Sequence, residues 1–152
     1  MYYNSLICLL GDVAHAGGPH QGAGAGQCLE DSLILSRVLG KLYQVHQKCP
    51  SNSPLSAPSP LRTRLVEAAF AAYDEVRRPR AQEQVRTTKE TGEIYNLMDP
   101  ETGEDMERVV RSLNARFAWI WEHDLDADVR AVEDRFVELT GREGGMQESA
   151  RL

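Results

Sequence analysis

Cysteine is scarce in this chain. There are 3, at positions 8, 28 and 49, and no two form a C-x-x-C pair. Neither a disulfide framework nor a zinc site follows from them, and a reducing, cytoplasmic setting is expected. Long apolar runs are missing too. The opening run SLICLL falls far short of the ~20 residues that a spanning helix needs, and no basic region or small-residue cleavage site marks it as a secretory leader. No membrane association is expected. Positive charge is short as well: 17 Lys and Arg against 23 Asp and Glu leave a net charge of −6. Phosphate neutralisation needs a concentrated basic face, so no nucleic-acid binder is expected. Basic residues do gather at Arg77, Arg78, Arg80, Arg86 and Lys89, and these read as a solvated helix face. No internal repeat is visible, and no Ser-His-Asp or Cys-His arrangement with a known local signature.

What the chain has instead is glycine in one place. The stretch GDVAHAGGPHQGAGAGQCLED, residues 11–31, holds glycines 11, 17, 18, 22, 24 and 26, half of the 12 in the chain. Before it, residues 5–10 read as a short strand, apolar on both faces and suited to the inside of a sheet. After it comes a leucine-rich helix. A strand, a tight loop and a helix together aim unpaired backbone N–H groups at a ligand, because a helix N-terminus carries four orphan donors and about half a positive charge. Gly22, Gly24 and Gly26, alternating with Ala23 and Ala25, leave no side chain in the way. Such a site suits an anion or an electron-rich carbonyl. Asp12, at the carboxyl end of the strand, sits where α/β sheets place ligand-binding groups, and it can accept hydrogen bonds from hydroxyls. The loop is not a dinucleotide fingerprint, since Gln27 and Leu29 stand where a third glycine would fall. It is not a P-loop either, for no Gly-Lys-Ser/Thr follows.

The rest reads as helices. The first runs from about residue 27 to His46, with Leu29, Leu33, Leu35, Val38, Leu39 and Leu42 as a wide buried stripe. Glu30 and Asp31 near its start suit the macrodipole. Residues 47–60, QKCPSNSPLSAPSP, form a flexible linker. Ser59-Pro60 then starts a second helix as N-cap and N1, with Leu61, Leu65, Ala69, Ala72, Tyr73 and Val76 on its inner face. Pro79 should break or kink it, and a separate helix is expected over 80–97. Met106, Val110, Leu113, Phe117 and Ile120 mark a fourth helix. The fifth has Asp126 as N-cap, Val129, Val132, Phe136 and Leu139 on its face, and Gly141 as its stop. A disordered tail is expected over 142–152. The helical spacing assigns Phe117, Trp119, Trp121, Tyr73 and Tyr95 to core packing. The fold class is therefore mainly α with one short β-strand. A lone strand has no ladder partners, so it looks taken from a larger sheet.

The 11–31 segment resembles the "GD" flavin-binding segment of group A FAD-dependent aromatic monooxygenases, and within them the salicylate hydroxylase-like branch. AAYDEVRRPRAQEQVRTTKETGEIYNL (71–97) and FAWIWEHDLDADV (117–129) are similar to the C-terminal helices of that branch. The resemblance implies a fragment of an α/β, Rossmann-like FAD-binding domain followed by C-terminal helices. Residues 1–46 would be the partial FAD-binding segment and 61–141 the helical region. It implies FAD as cofactor, NAD(P)H as reductant and hydroxylation of a small aromatic substrate with O2. By position, Asp12 would hold the ribityl chain. Gly22, Gly24, Ala25 and Gly26 would offer backbone to the pyrimidine ring. Pro19 and His20 would lie on the substrate side, and His15 would brace the loop. Reduced flavin carries negative charge near N1, which a helix N-terminus stabilises by about 0.3–1 kcal/mol when exposed and up to about 2 kcal/mol when partly buried.

The chain departs from the family in three respects. The N-terminal glycine fingerprint for the FAD pyrophosphate, the mid-sequence Asp-Gly motif and the substrate-domain sheet are not found. This implies a truncated chain, inactive alone, that would need a complementary chain or a homo-oligomer. The alternative reading is a non-catalytic helical remnant or interaction protein that binds no flavin. His15 and His20 lack a third ligand, so no metal is expected. Cys28 reads as a small helix residue. Ala150-Arg151-Leu152 resembles a variant of the peroxisomal S-K-L address, which makes peroxisomal targeting an alternative to the cytoplasm.

Overall fold

The computed structural model describes residues 1–47 and 59–149, with side chains through Gly141. Most of the 47–60 linker and the 150–152 tripeptide lie outside the described residues. The chain opens with two strands, β1 (Tyr3–Asn4) and β2 (Ile7–Cys8), paired antiparallel with Tyr3 opposite Cys8. A helical turn, α1 (Asp12–His15), and a 3-10 turn, Pro19–Gln21, follow. Four long helices complete the described residues: α2 (Gly24–Gln47), α3 (Pro60–Tyr95), α4 (Met106–Trp121) and α5 (Leu125–Ser149). None is long and apolar enough to cross a membrane.

The single strand expected over 5–10 is thus a hairpin over 3–8. Ser5 takes a φ of 50° at its tip, and the Leu9 N–H donates to the Tyr2 carbonyl at 2.7 Å to extend the pairing. Leu6, Ile7, Leu9 and Leu10 are exposed rather than sandwiched, because the two-stranded sheet has nothing packed on both faces.

The core lies where α2, α3 and α5 meet. Ile34, Val38 and Leu42 from α2 pack against Leu65, Ala69, Ala72 and Tyr73 from α3 and Val132 and Phe136 from α5. The spacings of three and four are those of one helix face. On α2 this face differs from the predicted leucine stripe. It runs Gln27, Asp31, Ile34, Val38, Leu42, and Leu29 is 72% exposed. Counting leucines misplaced the face because two of its positions are polar.

Helix α3 passes straight through Pro79, so the predicted break and the separate helix over 80–97 are not formed. Pro79 is exposed, and so is Glu75, whose carbonyl loses its donor four residues on. Interior proline costs about 3 kcal/mol. Burial of Arg77, Arg80 and Ala81 on both sides of it offsets that. Pro79→Ala restores the N–H and is expected to raise stability by roughly 1–3 kcal/mol, read as a higher urea midpoint at unchanged slope.

Ser59 is the N-cap and Pro60 the first residue of α3, as expected, though the Ser59 hydroxyl makes no cap bond and its backbone carbonyl accepts from Thr63 N–H at 3.0 Å. At α5 the capping carboxylate is Asp124, which accepts from Ala127 N–H at 2.9 Å, rather than Asp126. The helix runs on past Gly141. The α4 stripe is half outside the core: Met106 and Val110 are exposed and Trp121 is 77% exposed, stacked on Phe117 at 5.5 Å. Tyr73 is fully buried as expected, while Tyr95 is half exposed.

Candidate functional site

Beyond Tyr73 the inner face of α3 changes character. Arg77, Arg80, Gln84, Thr87, Thr88 and Thr91 are buried there, and this polar surface is the floor on which the glycine loop lies. Thr88 donates its hydroxyl to the Gly18 carbonyl at 2.7 Å, and Thr87 donates to Gln21 Oε1 at 3.1 Å. The His20 ring lies on Gly92, where a Cβ would sit 2.7 Å from it, and meets Tyr95 edge-on at 6.3 Å. Glycine at 92 is therefore needed for close approach, not for conformational freedom.

At the front of the loop, Gly11 has a φ of 63°, and a Cβ there would lie 2.9 Å from Cys28 Sγ. Only glycine meets both demands. Its N–H donates to Asp31 Oδ2 at 2.8 Å, and His15 Nε2 lies 2.6 Å from the same oxygen. Arg77, fully buried, donates from Nε to Asp31 Oδ1 at 2.9 Å, from Nη1 to Glu30 at 2.7 Å and from Nη2 to Gln27 Oε1 at 2.8 Å. Arg80 grips Glu30 with two bonds at 2.7 and 2.8 Å and reaches the Ile120 carbonyl at 3.2 Å. Its guanidinium lies 5.1 Å over the Trp119 ring, so one ion network ties loop, α2, α3 and the end of α4.

This corrects two expectations. Arg77 and Arg80 belong to no solvated face, and Glu30 and Asp31 do more than complement a helix dipole. A signal was present: positions 77, 80 and 84 continue the spacing of Leu65, Ala69 and Tyr73. A charge on a buried stripe calls for a partner.

The network sets the acid response. Burial raises the Asp31 carboxyl, but Gly11, His15 and Arg77 more than offset it and hold it below its ordinary value. Burial likewise opposes the charge on Glu30, and Arg80 and Arg77 win, holding it low. A lowered folded-state value means the folded chain binds fewer protons than the unfolded chain between the two. The stabilisation is therefore complete above the ordinary carboxylate range of about 4 and is lost as pH falls through the folded values. Helix content followed by circular dichroism is expected to collapse below about pH 4 and to hold above it. The Cys8 thiol is pushed up to about 11, by burial first and then by Asp31 and Asp74, so it stays protonated at neutral pH.

The remaining predicted site residues are exposed. Asp12 opens α1, is exposed, and its carboxylate accepts no hydrogen bond among the described residues. Pro19 and His20 are exposed in the 3-10 turn. Gly22, at a φ of 63°, leads into α2, whose first intrahelical bond is Gln27 N–H to the Ala23 carbonyl. The amides of Gly24, Ala25 and Gly26 therefore precede the ladder. No acidic side chain lies in that first turn, and a Cβ at 22, 24 or 26 would meet nothing within 4 Å. The chain thus presents open, uncapped amides at a helix start. Asp12 is tied to the same helix through Gly11 on Cys28.

No family model matches the chain. It is 45% identical over 128 residues to a salicylate hydroxylase of Pseudomonas putida. It is 40% identical over 129 residues to an FAD-dependent monooxygenase of Gibberella moniliformis. Each match takes in 84% of this chain, and 26% and 27% of those proteins. A solved salicylate hydroxylase substrate complex superimposes with a TM-score of 0.69 at 36% identity, over 86% of this chain and 28% of that one. The chain spans about a quarter of the length of the curated relatives it matches.

Proposed function

The chain belongs to the salicylate hydroxylase-like, FAD-dependent monooxygenases, and from that premise we propose that residues 11–26 are the flavin-facing part of an FAD site. The site serves NAD(P)H- and O2-dependent hydroxylation of a small aromatic ring. FAD, once bound and reduced, supplies the electrons that activate oxygen. The residues of this chain bind and orient. Asp12 accepts hydrogen bonds from the ribityl hydroxyls. The Gly24, Ala25 and Gly26 amides, with Gly22 leading into them, stabilise negative charge on the ring by the helix-start field. Pro19 and His20 line the substrate side, and the seat of His20 on Gly92 holds it there. The observation that supports this best is the set of open amides at the start of α2, with no side chain and no acid competing for them.

A graft tests it. These residues replace the matched quarter of the Pseudomonas putida salicylate hydroxylase. The chimera is expected to retain FAD and to couple NAD(P)H oxidation to hydroxylation. Asp12→Ala in the graft is expected to weaken FAD binding by about tenfold or more, the usual loss for hydrogen bonds to a charged group. A chimera that folds but takes up no flavin, or an Asp12→Ala form that binds as before, removes the proposal.

A further inference from the structure

One buried carboxylate holds both ends of the short turn that carries Asp12. Asp31 has no solvent exposure. Its Oδ2 takes the Gly11 N–H at 2.8 Å and lies 2.6 Å from His15 Nε2, while its Oδ1 takes Arg77 Nε at 2.9 Å. Between these anchors the backbone closes on itself. Ala14 and His15 donate to the Gly11 carbonyl at 2.9 and 3.0 Å, and Ala16 donates to the Asp12 carbonyl at 3.1 Å. The His15 ring also meets Tyr2, with ring centres 6.0 Å apart. The Tyr2 N–H is itself held by Asp74 at 2.6 Å.

Packing alone does not call for a charge here. Position 31 continues the Ile34, Val38, Leu42 face, and apolar residues of similar volume commonly replace a buried ion pair without loss of stability. What an apolar side chain cannot do is accept from a backbone N–H and an imidazole at once. We infer that Asp31, backed by Arg77, is the positioning residue for Asp12. It sets the direction in which the Asp12 carboxylate leaves the fold without touching the cofactor itself. This rests on the flavin reading of residues 11–26.

The test uses the 152-residue chain, with amide exchange and FAD titration followed by nuclear magnetic resonance. Asp31→Asn keeps the volume but cannot accept from Gly11, His15 and Arg77 together. The Gly11 amide is expected to exchange about tenfold faster or more. The FAD concentration needed to shift the Asp12 amide is expected to rise about tenfold. The Gly24 and Gly26 amides, presented by α2 itself, keep their response within about twofold. This split separates positioning from general loosening, which weakens both groups together. Unchanged Gly11 exchange, or a parallel loss at Asp12 and Gly24, overturns the inference. If Asp31→Asn does not fold, His15→Gln removes one arm and carries the same two readouts at about threefold. If FAD shifts none of these amides in the unsubstituted chain, the titration is carried out in the graft; a folded graft that takes up no flavin removes the flavin reading, and Gly11 exchange alone then decides whether Asp31 sets the turn.

Discussion

Arg77→Met is expected to destabilise the chain by about 3–5 kcal/mol, the range for removing one partner of a buried ion pair. Native domains hold only about 5–15 kcal/mol in total, so the variant is expected to unfold at a much lower urea concentration or to fail to fold. The size follows from what is left behind. Methionine fills the space of the arginine stem, so little packing is lost. The Asp31 Oδ1 and Gln27 Oε1 acceptors, both on buried side chains, then lose their donor, and the largely buried Glu30 keeps Arg80 alone. Arg108→Met is the control. Arg108 and its partner Asp105 are both exposed, three residues apart at the start of α4. Exposed pairs are worth about 0–1 kcal/mol, so the two variants are expected to differ by several-fold in their midpoint shift.

Phe136→Ala is expected to cost about 3–5 kcal/mol, as large-to-small changes at fully buried aromatics do. Phe136 has no exposure and lies where α5 meets α2 and α3, beside Val132. The Asp31–Arg77 bond at 2.9 Å fixes α2 against α3 and so limits how far these two helices can close over the void. Trp121→Ala removes a larger side chain, yet its expected cost is within about 0.5 kcal/mol, since Trp121 is 77% exposed. Thermal melts of both variants check the pair. A Trp121 loss as large as that of Phe136 contradicts the placement of α4 outside the core.

That contrast shows where residue patterns mislead. Phe117 and Trp121 carry a helical spacing that reads as core, but Phe117 is only partly buried and Trp121 is largely exposed. The same spacing on α5, Val132 and Phe136, is buried because two helices flank it. Periodicity reveals which residues share a face; it does not reveal whether another element covers that face. Pro79 misled for a different reason. Local sterics disfavour helix there, and tertiary contacts of Arg77, Arg80 and Ala81 override them.

The residue order alone was sufficient for the mainly helical class, for the glycine loop with Asp12 at its edge, and for the family. All three rest on local chemistry: turn residues, spacing and short motifs. Which charges are buried was settled only by the tertiary arrangement. Glu30, Asp31, Arg77 and Arg80 look like surface residues along the chain, 46 positions separating Asp31 from Arg77. They become the support of the loop because α2 and α3 bring them within hydrogen-bond distance in a place that water does not reach.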